Sequence, residues 1–92
     1  MEEMMKKFQD LFETVAKLST AEDCAKLFED LCTVKELADM TQRLEVARLL
    51  KAGKNYREIC EETGASTATI CRVNKCLLYG KGGYELALGE KK

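Results

Sequence analysis

Apolar residues recur along this chain at helical spacings, and nowhere do they alternate with polar ones over the length of a strand. Met4, Met5, Phe8, Leu11, Phe12, Val15 and Leu18 follow one another mostly three or four apart, the stripe of an amphipathic helix. Ser19 with Glu22 has capping-box spacing and predicts the start of a short second helix, with Cys24, Leu27, Phe28 and Leu31 along one side. Thr33 with Glu36 repeats that device ahead of a longer helix through Ala52, with Leu37, Met40, Leu44, Ala47 and Leu50 inward and Gly53 as its stop. The pattern predicts an all-α chain.

The most constrained stretch is Asn55 to Leu78, NYREICEETGASTATICRVNKCLL. Two helices that cross steeply over a tight turn need one residue at positive φ, and Gly64 stands where that turn belongs. Counted from Tyr56, Ile59, Cys60, Gly64, Ile70 and Val73 then occupy the inward positions of a helix-turn-helix. Cys60 is small enough for the helices to approach. Asn55 with Glu58 caps the first helix, and Ser66 caps the second. On the outward side lie Ser66, Thr67, Ala68, Thr69, Arg72 and Lys75, with Lys54 and Arg57 at the entrance to the first helix. These are the groups that hold phosphates or touch base edges and thymine methyls, so this face is the expected DNA-binding surface.

Past Leu78 the chain reads YGKGGYELALGEKK, and glycines at 80, 82 and 83 predict a hinge before a short docking element with Tyr84, Leu86 and Leu88. GKGG lacks the spacing of a phosphate loop. The expected organisation is one helical DNA-binding domain, 1–92: dimerisation helices over 1–32, a long central helix over 33–53, the helix-turn-helix over 55–79, and hinge plus C-terminal element over 80–92. A chain of 92 residues has a marginal core of its own, and two long apolar stripes with no sheet to cover them predict a homodimer.

Composition narrows the chemistry. There is no proline, tryptophan or histidine, and the five cysteines at 24, 32, 60, 71 and 76 form no CxxC pair, so neither a zinc site nor a disulfide framework is expected. With no histidine and no triad-like arrangement, catalysis has no support. No apolar run approaches the ~20 residues of a membrane span, which predicts no membrane partner and a cytoplasmic, soluble protein. The net charge of −1 argues against a nucleic-acid partner until it is divided: residues 1–42 carry −5 and residues 43–81 carry +4. A basic half beside an acidic half suits a reader that turns one face to double-stranded DNA. The competing expectation is an interaction module that docks the same hairpin on a protein partner.

From about Leu31 to Leu78 the sequence resembles the Trp repressor superfamily, and the whole chain is similar to its bacterial YerC/YecD-type branch. The resemblance is carried by TVKELADMTQRLEVARLLKAG and YREICEETGASTATICRVNKCL, most specifically by the run from Gly64 through Ala68, Thr69 and Ile70 to Arg72. It implies a six-helix fold, an intertwined homodimer and transcriptional control, repressor-like, at a palindromic operator. In that family a corepressor lies between two arginines, which Arg43 and Arg72 match here, and Thr33 matches a threonine at the start of the long helix. Guanidinium groups are suited to such a ligand, since they fork onto carboxylates and stack on aromatic planes. Two positions depart from the pattern. Val73 stands where the repressor has a glycine that leaves room for the indole, and Cys76 replaces a serine near the ligand's amino group. Tryptophan control is therefore not expected: either a smaller, unknown effector binds, or Val73 takes the ligand's place; no other cofactor is implied. Arg72 has two readings, toward a ligand or toward DNA, and Arg43 has a plainer one as a surface cation paired with Glu45 or Asp39.

Overall fold

The computed structural model describes residues 2–89, less the side chains of Glu2 and Met4. Six α-helices and no strand are found among them: α1 (Glu2–Ala16), α2 (Ala21–Leu31), α3 (Val34–Lys51), α4 (Tyr56–Thr63), α5 (Thr67–Tyr79) and α6 (Gly83–Leu88). The all-α, six-helix expectation holds. Residues 90–92 of the expected C-terminal segment lie outside the described set, as does the Met4 side chain of the first stripe.

The chain divides into two compact units, Met1–Leu37 and Ala38–Lys92. In the first, Gln9 bonds Glu13 one turn on, and the stripe residues Met5, Phe8, Leu11 and Phe12 are exposed. The Ser19–Glu22 capping box does not form. Thr20 is the N-cap instead, its hydroxyl accepting from the Asp23 N–H at 3.0 Å. Thr20 to Asp23 has the same three-residue interval one place later, and two adjacent hydroxyl residues made the register ambiguous. The Thr33–Glu36 box does form, with both reciprocal bonds at 2.8 and 3.0 Å.

In the second unit the core is small and specific. Val46 and Ala47 of α3, Ile59 of α4, Ala65 of the turn, and Ile70 and Val73 of α5 are buried, with Leu49, Leu50, Tyr56, Cys60, Leu77, Tyr84 and Leu88 packed around them. Each fully buried branched side chain contributes roughly 1.5–3 kcal/mol, so a handful of them fixes α4 and α5 against α3. The expected stripe of α3 holds at Ala47, which is buried, and at Leu50, which packs on the core, with Leu37 and Leu44 half-buried; Met40 is exposed, and Val46, outside that stripe, is buried. Two adjacent buried positions show a broader apolar face than a three-four stripe describes.

Gly80 ends α5, its N–H donating to the Cys76 carbonyl at 2.8 Å, and a Cβ there would collide with that carbonyl. Tyr84 and Leu88 then pack α6 on the core, and Lys51 Nζ meets Glu85 Oε1 at 2.8 Å. Leu86, expected to dock with them, points outward and is exposed. Tyr84 and Leu88 are four residues apart and share one face of the helix, whereas Leu86, two places from each, lies on the opposite one.

Candidate nucleic-acid interface

The helix-turn-helix is built from local instructions that agree with one another. Asn55 Oδ1 accepts from the Glu58 N–H at 2.9 Å while Glu58 Oε1 accepts from the Asn55 N–H at 3.0 Å, a complete capping box for α4. Gly64 ends α4 in the left-handed region, φ 74 and ψ 4, its N–H donating to the Cys60 carbonyl at 2.9 Å. Ser66 restarts the chain as N-cap of α5, its hydroxyl accepting from the Thr69 N–H at 3.1 Å. Only Ala65 separates the αL residue from the new cap, and it is buried. The bend is therefore short and closed.

Burial along α5 then sorts its faces. Ile70 and Val73 are inward, Thr69, Asn74 and Leu77 are half-buried, and Thr67, Ala68, Cys71, Arg72, Lys75 and Cys76 are exposed. Thr67, Cys71 and Lys75 are spaced four apart and share a stripe, with Ala68 and Arg72 alongside. Of the expected contact residues, Thr67, Ala68, Arg72 and Lys75 thus lie together on the outer face. Ser66 and Thr69 are engaged with each other at the cap, the Ser66 hydroxyl donating to Thr69 Oγ1 at 3.1 Å. Cys71, absent from the expected set, belongs to the outer face; its four-residue interval from Thr67 and Lys75 was the signal.

No acidic residue occurs in α5. Among the described residues Arg72 and Lys75 have no ion-pair partner, so both positive charges stand unneutralised on the exposed face. Lys54 approaches Glu62 at 3.9 Å and Arg57 approaches Glu61 at 3.6 Å. Such solvent-exposed pairs are worth about 0–1 kcal/mol and give way readily to a phosphate.

The residues matched to a corepressor site are differently disposed. Val73 is 1% exposed and is part of the core, so its side chain occupies the space beside α5. Arg43 is half-buried, and Glu45, one of the acids expected beside it, pairs instead with Arg48 at 3.5 Å because three residues along the helix bring those side chains together. Thr33 spends its hydroxyl on the α3 cap. Cys76 is exposed and lines an open groove of about 490 Å³ with Leu44, Gly80, Lys81, Gly83, Tyr84 and Ala87. Among the described residues no group of three or more Cys, Asp or Glu is placed to hold a metal ion, and no helix is long and apolar enough to cross a membrane.

Comparison with known proteins agrees with this geometry. The family model described as Trp repressor protein matches residues 6–92. The chain is 49% identical over 87 residues to YerC of Bacillus subtilis (strain 168), itself uncharacterised, covering 95% of this chain and 84% of that one. A crystal structure of a provisional Trp repressor from Staphylococcus aureus superposes with a TM-score of 0.84 at 42% identity, covering 90% of this chain and 83% of that one. A TrpR-like protein from Eubacterium eligens ATCC 27750 superposes with a TM-score of 0.83 at 41% identity, covering 94% of each chain.

Proposed function

This chain belongs to the Trp repressor family, and from that premise we propose that it is a sequence-specific, DNA-binding transcriptional regulator, repressor-like, acting as a homodimer on a palindromic operator. The observation that carries the reading is the outer face of α5, where hydroxyl, methyl and cationic groups are exposed together on a helix without a single acid. Lys54, Arg57 and Lys75 hold backbone phosphates, while Thr67, Ala68 and Arg72 meet base edges in the major groove. Ser66 and Thr69 shape the first turn that presents them. The exposed stripe of Met5, Phe8, Leu11 and Phe12 supports assembly, since a second copy would cover it, and intertwined helices would set two reading helices about 34 Å apart.

The regulator does not respond to tryptophan. Val73 is a core residue here, so the room that an indole would need beside α5 is filled by the protein's own side chain. Arg72 accordingly serves DNA.

Salt titration tests the phosphate contacts. Three cations per copy give a dimer six contacts and a slope of log affinity against log salt near −5, or about a thousandfold loss between 50 and 200 mM. Arg57→Ala reduces that slope by roughly two. Duplex binding that ignores salt sinks the proposal, and a stable heterocomplex from lysate without DNA retention identifies a protein-docking module instead.

A further inference from the structure

The cluster that holds α4 and α5 on α3 is apolar, and such burial is non-directional: it favours contact without selecting one angle. A reading helix needs a defined angle. The end of α4 carries a directional restraint that apolar packing does not supply. Gln42, on α3, donates from Nε2 to the Thr63 carbonyl at 3.2 Å. That carbonyl is one of the last four of α4, which have no partner inside the helix. The Thr63 hydroxyl extends the restraint, donating to the Ile59 carbonyl at 2.7 Å and accepting from the Ala65 N–H at 3.1 Å. Gln42 and Thr63 are both half-buried, so water competes poorly for these bonds.

We infer that Gln42 and Thr63 form a clamp that positions the reading helix: the Gln42 amide fixes the end of α4 to α3, and the Thr63 hydroxyl passes that restraint across Gly64 to Ala65, two residues before α5 begins. Both are positioning residues. Neither meets DNA, and their effect is on discrimination between sequences. The inference rests on the DNA-binding reading for its functional half, while the clamp itself is a property of the free protein.

The test compares the native protein with Gln42→Met and Thr63→Val, which keep size but lose the donor or hydroxyl, and with Thr63→Ser, which keeps the hydroxyl. Amide exchange of Ala65 is measured first. Loss of one net hydrogen bond accelerates it roughly fivefold in the first two variants, and Thr63→Ser restores the native rate. Affinity is then measured for the duplex that the native protein enriches from a random pool and for an unrelated duplex of equal length. The ratio of the two falls roughly fivefold or more in Gln42→Met and Thr63→Val, because mis-set base contacts are lost, while the salt slope stays native because the phosphate-holding cations remain. Native exchange at Ala65 in Gln42→Met overturns the clamp, whatever the rate in Thr63→Val. Faster exchange with an unchanged ratio overturns its positioning role. A native protein that retains no duplex at all refutes the DNA-binding reading and the positioning role together, with the exchange rates still reporting whether the clamp exists.

Discussion

Val73→Ala probes the side chain on which both the core and the proposed independence of tryptophan rest. The substitution removes two methyl groups from a residue that is 1% exposed and packed with Val46, Ala47, Ile59, Ala65 and Ile70. Transfer of two methyls costs about 1.6 kcal/mol at ~0.8 each, and the cavity left behind adds roughly 1 kcal/mol, since helix backbones cannot collapse into it. Alanine's better helix propensity returns about 0.5 kcal/mol. The net loss is about 2 kcal/mol. Urea unfolding at fixed protein concentration is the assay: with a slope near 1 kcal/mol per molar for a chain of this size, the midpoint falls by about 2 M. A fall of less than about 0.5 M at unchanged slope would mean that Val73 is not in a packed core, and the space beside α5 would then be open to a ligand.

Three further outcomes follow from the same geometry. Gly64→Ala forces a Cβ into the left-handed region at φ 74, where nothing lies within 4 Å, so backbone strain alone lowers stability by about 1–2 kcal/mol; an unchanged thermal midpoint would contradict that conformation. Asn55→Ala dismantles the capping box of α4 and costs about 1 kcal/mol by urea unfolding, an expectation that a loss below ~0.3 would defeat. Calorimetry with L-tryptophan shows no binding to the native protein, and the paired change Val73→Gly with Cys76→Ser reopens the space; a micromolar signal from the native chain would refute the role given to Val73.

The parts of the fold that short-range chemistry dictates could be read from the chain itself. Asn55 with Glu58, Thr33 with Glu36, Ser66 and Gly64 each act through neighbours within a few residues, so their identity and spacing imply their geometry. The inward positions Ile59, Ile70 and Val73 followed from the same turn. What escaped depended on register or on distant partners. Thr20 displaced Ser19 as a cap because both hydroxyls precede an acid at workable spacing, and Leu86 turned outward because in a helix the residue midway between Tyr84 and Leu88 falls on the opposite face. The Gln42 bond to Thr63 joins residues 21 apart, and no local pattern announces it. A thiol has the character of a core residue, so the composition of α5 does not mark Cys71 as exposed; its exposure is set by which face of the helix the core takes.

Selection of bound duplexes from a random pool by the native protein tests the proposed reading of DNA most directly. A twofold pair of α5 helices predicts enrichment of two inverted half-sites with centres about ten base pairs apart. A pool that emerges without any enriched sequence, or with a single half-site at no fixed spacing from another, would contradict it.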